Sequence, residues 1–95
     1  MPKKTLNPKT AFGLRIKELR FERSVTQEEL AERSGMFRTY MSRVESGLAN
    51  PTLTVIHTLA TALEVDIAEL FVAPRGDIKR VISAKPVSRG RVSRT

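Results

Sequence analysis

Between Thr26 and Gly47 the chain carries two short helical signals separated by a tight turn, and their spacing leaves few folds open. Thr26 and Glu29 precede the apolar pair Leu30-Ala31 in the pattern of a capping box. The Thr26 hydroxyl can accept from the Glu29 N–H while the Glu29 carboxylate accepts from the Thr26 N–H. Gly35 then supplies a residue that tolerates positive φ. A second helix is expected over 37–46 from the spacing of Tyr40, Met41 and Val44, with Gly47 as its closing residue. Ala31 is small, which suits a position where another helix passes closely.

The flanking segments extend the helical pattern. Asn7-Pro8 reads as an N-cap followed by proline at the first helical position. It opens a helix over 8–23 with Phe12, Ile16, Leu19 and Arg23 on one stripe, and Leu14 and Phe21 beside it. Ser24-Val25 connects this helix to Thr26. Asn50-Pro51 marks a loop, after which a helix over 52–64 places Leu53, Ile56, Leu59, Ala60 and Leu63 on one face. Asp66 and Glu69 form a second capping-box pattern that begins a short fifth helix through Val72. Pro74 ends the regular pattern. The expected fold class is all-α: a compact five-helix domain over 8–73, a basic lead over 1–7 and a basic tail over 74–95.

Charge separates the tail from the body. Residues 1–73 hold ten Lys/Arg against nine Asp/Glu, whereas residues 74–95 hold seven against Asp77 alone. Isolated Val and Ile among Arg, Lys, Ser, Gly and Pro cannot bury enough apolar area to offset the entropy of ordering. The tail is therefore expected to be disordered, or ordered by a partner, with 78–82 as the stretch able to form a short strand or helix on contact. Its cations suit nucleic-acid phosphates.

Several function classes find no support. The absence of cysteine removes disulfides and thiolate metal sites. No apolar run approaches the roughly 20 residues of a membrane span, and no signal-peptide core follows Lys3-Lys4. A cytoplasmic protein is the expectation. His57, the sole histidine, has no ligand partners at metal spacing and reads as a surface or packing residue. Glu28 and Glu29 are adjacent carboxylates in a first helical turn, where capping and the helix dipole account for them. No catalytic constellation, cofactor motif, metal site or small-molecule ligand is indicated, and the chain is not expected to be an enzyme.

Two short helices about a tight turn, with the second polar on one side, form the layout of a helix-turn-helix, whose second helix is shaped to enter the DNA major groove. Residues 13–72 resemble the lambda-repressor-like, Xre-type helix-turn-helix family. The resemblance is carried by Gly13-Leu14-Arg15-Ile16-Lys17-Glu18-Leu19-Arg20, Thr26-Gln27-Glu28-Glu29-Leu30-Ala31, Gly35, Tyr40-Met41-Ser42, Glu45, Gly47, Asn50-Pro51-Thr52-Leu53 and Leu63-Glu64-Val65. The run Arg38-Thr39-Tyr40-Met41-Ser42 is also similar to controller proteins of restriction–modification systems. The resemblance implies a five-helix fold and a bacterial or phage-like, nucleoid-associated regulator. It implies that Gln27 contacts a phosphate and braces the third helix, and that Arg38, Thr39, Tyr40, Ser42 and Arg43 face bases or flanking phosphates. It further implies an internal salt bridge between Arg20 and Glu45. Ser24 departs from the family, which usually places glycine there, so some strain is expected in the first turn. Residues 74–95 have no family counterpart.

The chemistry of these side chains leaves alternatives. Arg38 can pair with the O6/N7 edge of guanine, worth roughly 1–3 kcal/mol of discrimination, or rest on a phosphate or in water. Thr39 can meet a base or simply fill the helix surface, and Tyr40 can serve DNA or the core. Arg43 suits a base or a phosphate, and Ser42 is a further polar contact. Gln27 stands at a helix N-terminus, where free N–H groups and the dipole favour an anion, but it also suits plain capping. Asn50, Thr52 and Arg15 are possible phosphate contacts, with a turn, an N-cap and an exposed helix charge as their other readings. The leading expectation is a transcriptional repressor that binds a two-fold site on double-stranded DNA as a homodimer. Val65, Ile67, Leu70, Phe71 and Val72 form the expected dimer patch. The competing readings are an adaptor or antitoxin acting through protein contacts, and a non-specific binder driven by the tail.

Overall fold

A computed structural model of the chain describes residues 7–75. It contains four α-helices, α1 (Pro8–Glu22), α2 (Gln27–Ser34), α3 (Arg38–Glu45) and α4 (Leu53–Leu63), followed by a 3-10 helix (Ile67–Phe71). There is no strand among the described residues.

Local chemistry accounts for most helix ends. Asn7 Oδ1 accepts from the Lys9 N–H at 2.8 Å, and Pro8 occupies the first helical position. The capping box of α2 is complete, with Glu29 N–H donating to Thr26 Oγ1 at 3.0 Å and Thr26 N–H donating to Glu29 Oε1 at 2.9 Å. Gly35 turns α2 into α3 at φ 68°, and the Met36 N–H reaches back to the Ala31 carbonyl at 2.9 Å. Thr52 caps α4 by accepting from the Val55 N–H at 3.2 Å.

The structure departs from the expected helix pattern in two places, the fifth element and Leu53. The fifth element is a 3-10 helix rather than an α-helix, and Asp66 makes no side-chain cap bond. The Glu69 carboxylate is engaged by Arg15 instead. Leu53, expected in the core, is 71% exposed, because the buried face of α4 begins a turn later. Ser24 adopts φ 55°, the left-handed conformation that glycine takes without penalty, and Glu64 does the same at φ 61° where α4 ends.

The core is a single cluster. Ile16 of α1, Leu30 of α2, Met41 and Val44 of α3, Leu59 and Leu63 of α4, and Leu70 are all withdrawn from water. α1 packs on α3 and on the 3-10 helix, while α2 lies across α3 and α4. α1 and α3 approach so closely at Gly13 that a Cβ there would sit 2.5 Å from both the Val44 and Glu45 carbonyl oxygens.

Four charged residues are buried with this core: Arg15, Glu18, Arg20 and Glu45. Each is matched, as burial requires. Arg15 donates to Glu18 Oε1 at 2.7 Å, Glu69 Oε1 at 3.0 Å and the Glu69 carbonyl at 2.8 Å. Glu18 is wholly buried and also accepts from the backbone N–H and Nε of Arg75, at 2.9 and 3.1 Å. Arg75 Nη2 stands 2.8 Å from Glu22 Oε2. Arg75, expected to lie in the tail, is thus bound to α1. The basic lead through Leu6 and the tail from Gly76 onward, with its 78–82 stretch, fall outside the described residues.

Candidate nucleic-acid interface

α3 divides cleanly by face. Met41, Val44 and Glu45 are buried and Tyr40 is half-buried against the core. Arg38, Thr39, Ser42, Arg43 and Ser46 are exposed. An α-helix with its side chains is about 10–12 Å across, which fits a major groove about 12 Å wide. The exposed side carries guanidinium groups and hydroxyls, which can donate to base edges and phosphates.

The helix is held in place at its C-terminal end. Arg20 Nε donates to Glu45 Oε2 at 2.6 Å and Arg20 Nη2 donates to Glu45 Oε1 at 2.8 Å, a bidentate pair inside the protein. Arg20 Nη1 donates to the Val25 carbonyl at 3.0 Å, and the guanidinium lies 5.0 Å above the Phe21 ring. Gln27 Nε2 donates to Glu45 Oε1 at 3.1 Å. One carboxylate therefore ties α1, the start of α2 and the end of α3 together. The backbone contact at Gly13 presses on the same end of α3. Nothing in the sequence pattern of α1 singled out Gly13 for this role; only the long-range packing reveals it.

The other residues named from the sequence fall into distinct environments. Arg43 is exposed, with Nη2 within 3.4 Å of the Leu48 carbonyl. Asn50 is exposed in the loop after α3, and the Thr52 oxygen is engaged as the cap of α4. Arg15 has to be withdrawn as a phosphate contact: it is 7% exposed and its donors are directed to Glu18 and Glu69. Phe37 is the N-cap of α3, makes no side-chain cap bond and is 83% exposed.

The expected dimer patch is split. Leu70 is a core residue, and Val65 and Ile67 are half-buried against the core. Phe71 and Val72 remain exposed. The Phe71 ring leans on Phe12 with centroids 5.9 Å apart, at the edge of an open apolar cleft of about 330 Å³ between the start of α1, the Asn50-Pro51 loop and the 3-10 helix. Among the described residues no group of His, Asp or Glu is placed to hold a metal, and no helix is long and apolar enough to cross a membrane.

Comparison with known proteins agrees with this geometry. Residues 11–71 match the model of a family described as a helix-turn-helix domain. The chain is 43% identical over 58 residues to an uncharacterized HTH-type transcriptional regulator of Sinorhizobium fredii, covering 61% of this chain and 75% of that protein. It is 36% identical over 58 residues to the immunity repressor protein of Bacillus phage phi105, covering 61% of this chain and 40% of the repressor, so it spans about two-fifths of that relative's length. Among solved structures, it is similar to the restriction–modification controller protein C.AhdI from Aeromonas hydrophila. The TM-score is 0.64 with 45% identity, over 65% of this chain and 94% of that one.

Proposed function

Because this chain belongs to the helix-turn-helix domain family, we propose that it is a sequence-specific DNA-binding transcriptional repressor that grips a two-fold operator as a homodimer. α3 enters the major groove. Arg38, Thr39, Ser42 and Arg43 read base edges or adjoining phosphates, with Tyr40 contributing its hydroxyl from the half-buried side. Gln27 holds a phosphate from the start of α2, and Asn50 and Thr52 approach the backbone beyond the other end of α3.

The observation that carries this reading is the division of α3 into a braced inner face and an exposed, basic outer face. Base readout needs side chains aimed from a rigid element, because a bidentate contact loses its discrimination when the donor can wander. The relatives support the same class, since they include a repressor and a controller protein.

The homodimer follows from information content. One α3 spans only a few base pairs, and genomic specificity calls for two half-sites about 34 Å apart. Phe71 and Val72 supply exposed apolar surface for self-association. Selection of binding sites from random duplex DNA tests the whole proposal, with a palindromic consensus as the expected result. Failure to enrich any sequence, or an Arg38→Ala variant with unaltered DNA affinity, would overturn it in favour of a protein-binding adaptor.

A further inference from the structure

We infer that Phe37 is a specificity-determining residue whose ring meets the C5-methyl group of a thymine in the major groove. This rests on the reading of α3 as the groove-entering helix.

Phe37 is 83% exposed, ahead of Leu53, Leu48 and Phe71 among the large apolar residues left in water. Its place makes that exposure informative. It is the N-cap of α3, a position that favours Ser, Thr, Asp and Asn because their oxygens accept from the first helical N–H groups. Asn7, Thr26 and Thr52 all do this at the other three α-helices, and only α3 begins without a side-chain cap. The helix that most needs a fixed first turn has a ring where a cap would stabilise it. Such a local rule is broken most often at functional sites.

The backbone beneath the ring is anchored. Met36 packs against the core, and the Phe37 carbonyl accepts from the Met41 N–H at 3.1 Å. The ring is thus held next to Arg38 and Thr39 by a rigid segment. The residues that follow it on the exposed side, Arg38 and Thr39, are the polar ones proposed above to enter the groove, so the ring stands at the same end of α3 as those contacts. Within a polar groove wall the one apolar feature that distinguishes a base pair is the thymine methyl, and phenylalanine is among the side chains that contact it.

The test uses the full chain, its selected DNA site, and the variants Phe37→Ser and Phe37→Ala. Each thymine of the half-site is replaced in turn by deoxyuridine, which lacks only the methyl group. The expected result is a loss of about fourfold in affinity at one thymine per half-site, the worth of one buried methyl. Phe37→Ser should bind the thymine and deoxyuridine sites equally. It should also melt no lower than the natural protein, because serine restores the missing cap, so unfolding cannot account for the change. A selected half-site without thymine, a natural protein indifferent to every replacement, or a Phe37→Ser variant that keeps the methyl preference would each overturn the assignment while leaving the DNA-binding reading intact. A natural protein that enriches no sequence would overturn both.

Discussion

Replacing Gly13 by alanine sets two forces against each other, and the structure decides between them. Helix propensity alone favours alanine in the interior of α1 by about 1 kcal/mol. The added Cβ, however, would stand 2.5 Å from the Val44 and Glu45 carbonyl oxygens and 2.8 Å from the Glu45 carbonyl carbon. Comfortable carbon–oxygen contact begins near 3.3 Å, so α1 and α3 would have to separate by roughly 0.8 Å at this point. Both opposing atoms are backbone, and no side chain can swing aside. Overpacking of this kind costs about 1–3 kcal/mol. The same separation also lengthens the Arg20–Glu45 bonds that now stand at 2.6 and 2.8 Å. We therefore expect Gly13→Ala to destabilise by up to about 2 kcal/mol net, a fall in Tm of up to roughly 15 °C for a domain of this size. Thermal and urea unfolding followed by circular dichroism would measure it. Gly35→Ala is the companion variant, since a Cβ there meets nothing within 4 Å and only its φ of 68° opposes the change. It should cost about 1 kcal/mol. A Gly13→Ala protein that melts at or above the natural temperature would refute the reasoning, because propensity would then have prevailed over contact.

Other expectations concern single contacts. Arg20→Ala should cost about 3–5 kcal/mol in urea unfolding by leaving the Glu45 carboxylate buried without its partner, whereas the double replacement Arg20→Met with Glu45→Met should cost less than either single change. Ser24→Gly should raise stability by about 0.5–1 kcal/mol in thermal melts, since Ser24 holds φ 55° at a turn where glycine is unstrained. Phe71→Asp should convert the proposed dimer to monomer in sedimentation while leaving the melting transition cooperative, because the ring is 61% exposed and only leans on Phe12; an unchanged dimer would remove Phe71 from the interface.

The parts of this fold that were legible in advance are those decided within a few residues. Asn7-Pro8, the Thr26–Glu29 box, Gly35 and Gly47 each act on their own turn, and the helix limits read from them agree with the structure to within a residue or so. The polar outer face of α3 was legible for the same reason, since helical periodicity alone separates Met41 and Val44 from Thr39 and Arg43. What escaped was decided at long range. Asp66 and Glu69 have the spacing of a capping box, but Arg15, 54 residues earlier, takes both the carboxylate and the carbonyl of Glu69. For the same reason an arginine that looked free for phosphate is an internal strut. Glu18 gave no sign of being wholly buried, because one of the two arginines that match it, Arg75, comes from 57 residues further along the chain. Phe37 was passed over because apolar residues are usually assigned to a core, and only the exposure of its ring sets it apart.

The clasp between Arg75 and Glu18 has a practical result for anyone trimming the molecule. Proline at 74 looks like a natural place to cut, but removal of the next residue would strip an enclosed carboxylate of a guanidinium and an amide donor, leaving it, among the described residues, to Arg15. A protease that severs the chain just before Arg75 should therefore loosen the helical body itself, and a shortened version that keeps this one arginine should outlast one that ends two residues sooner.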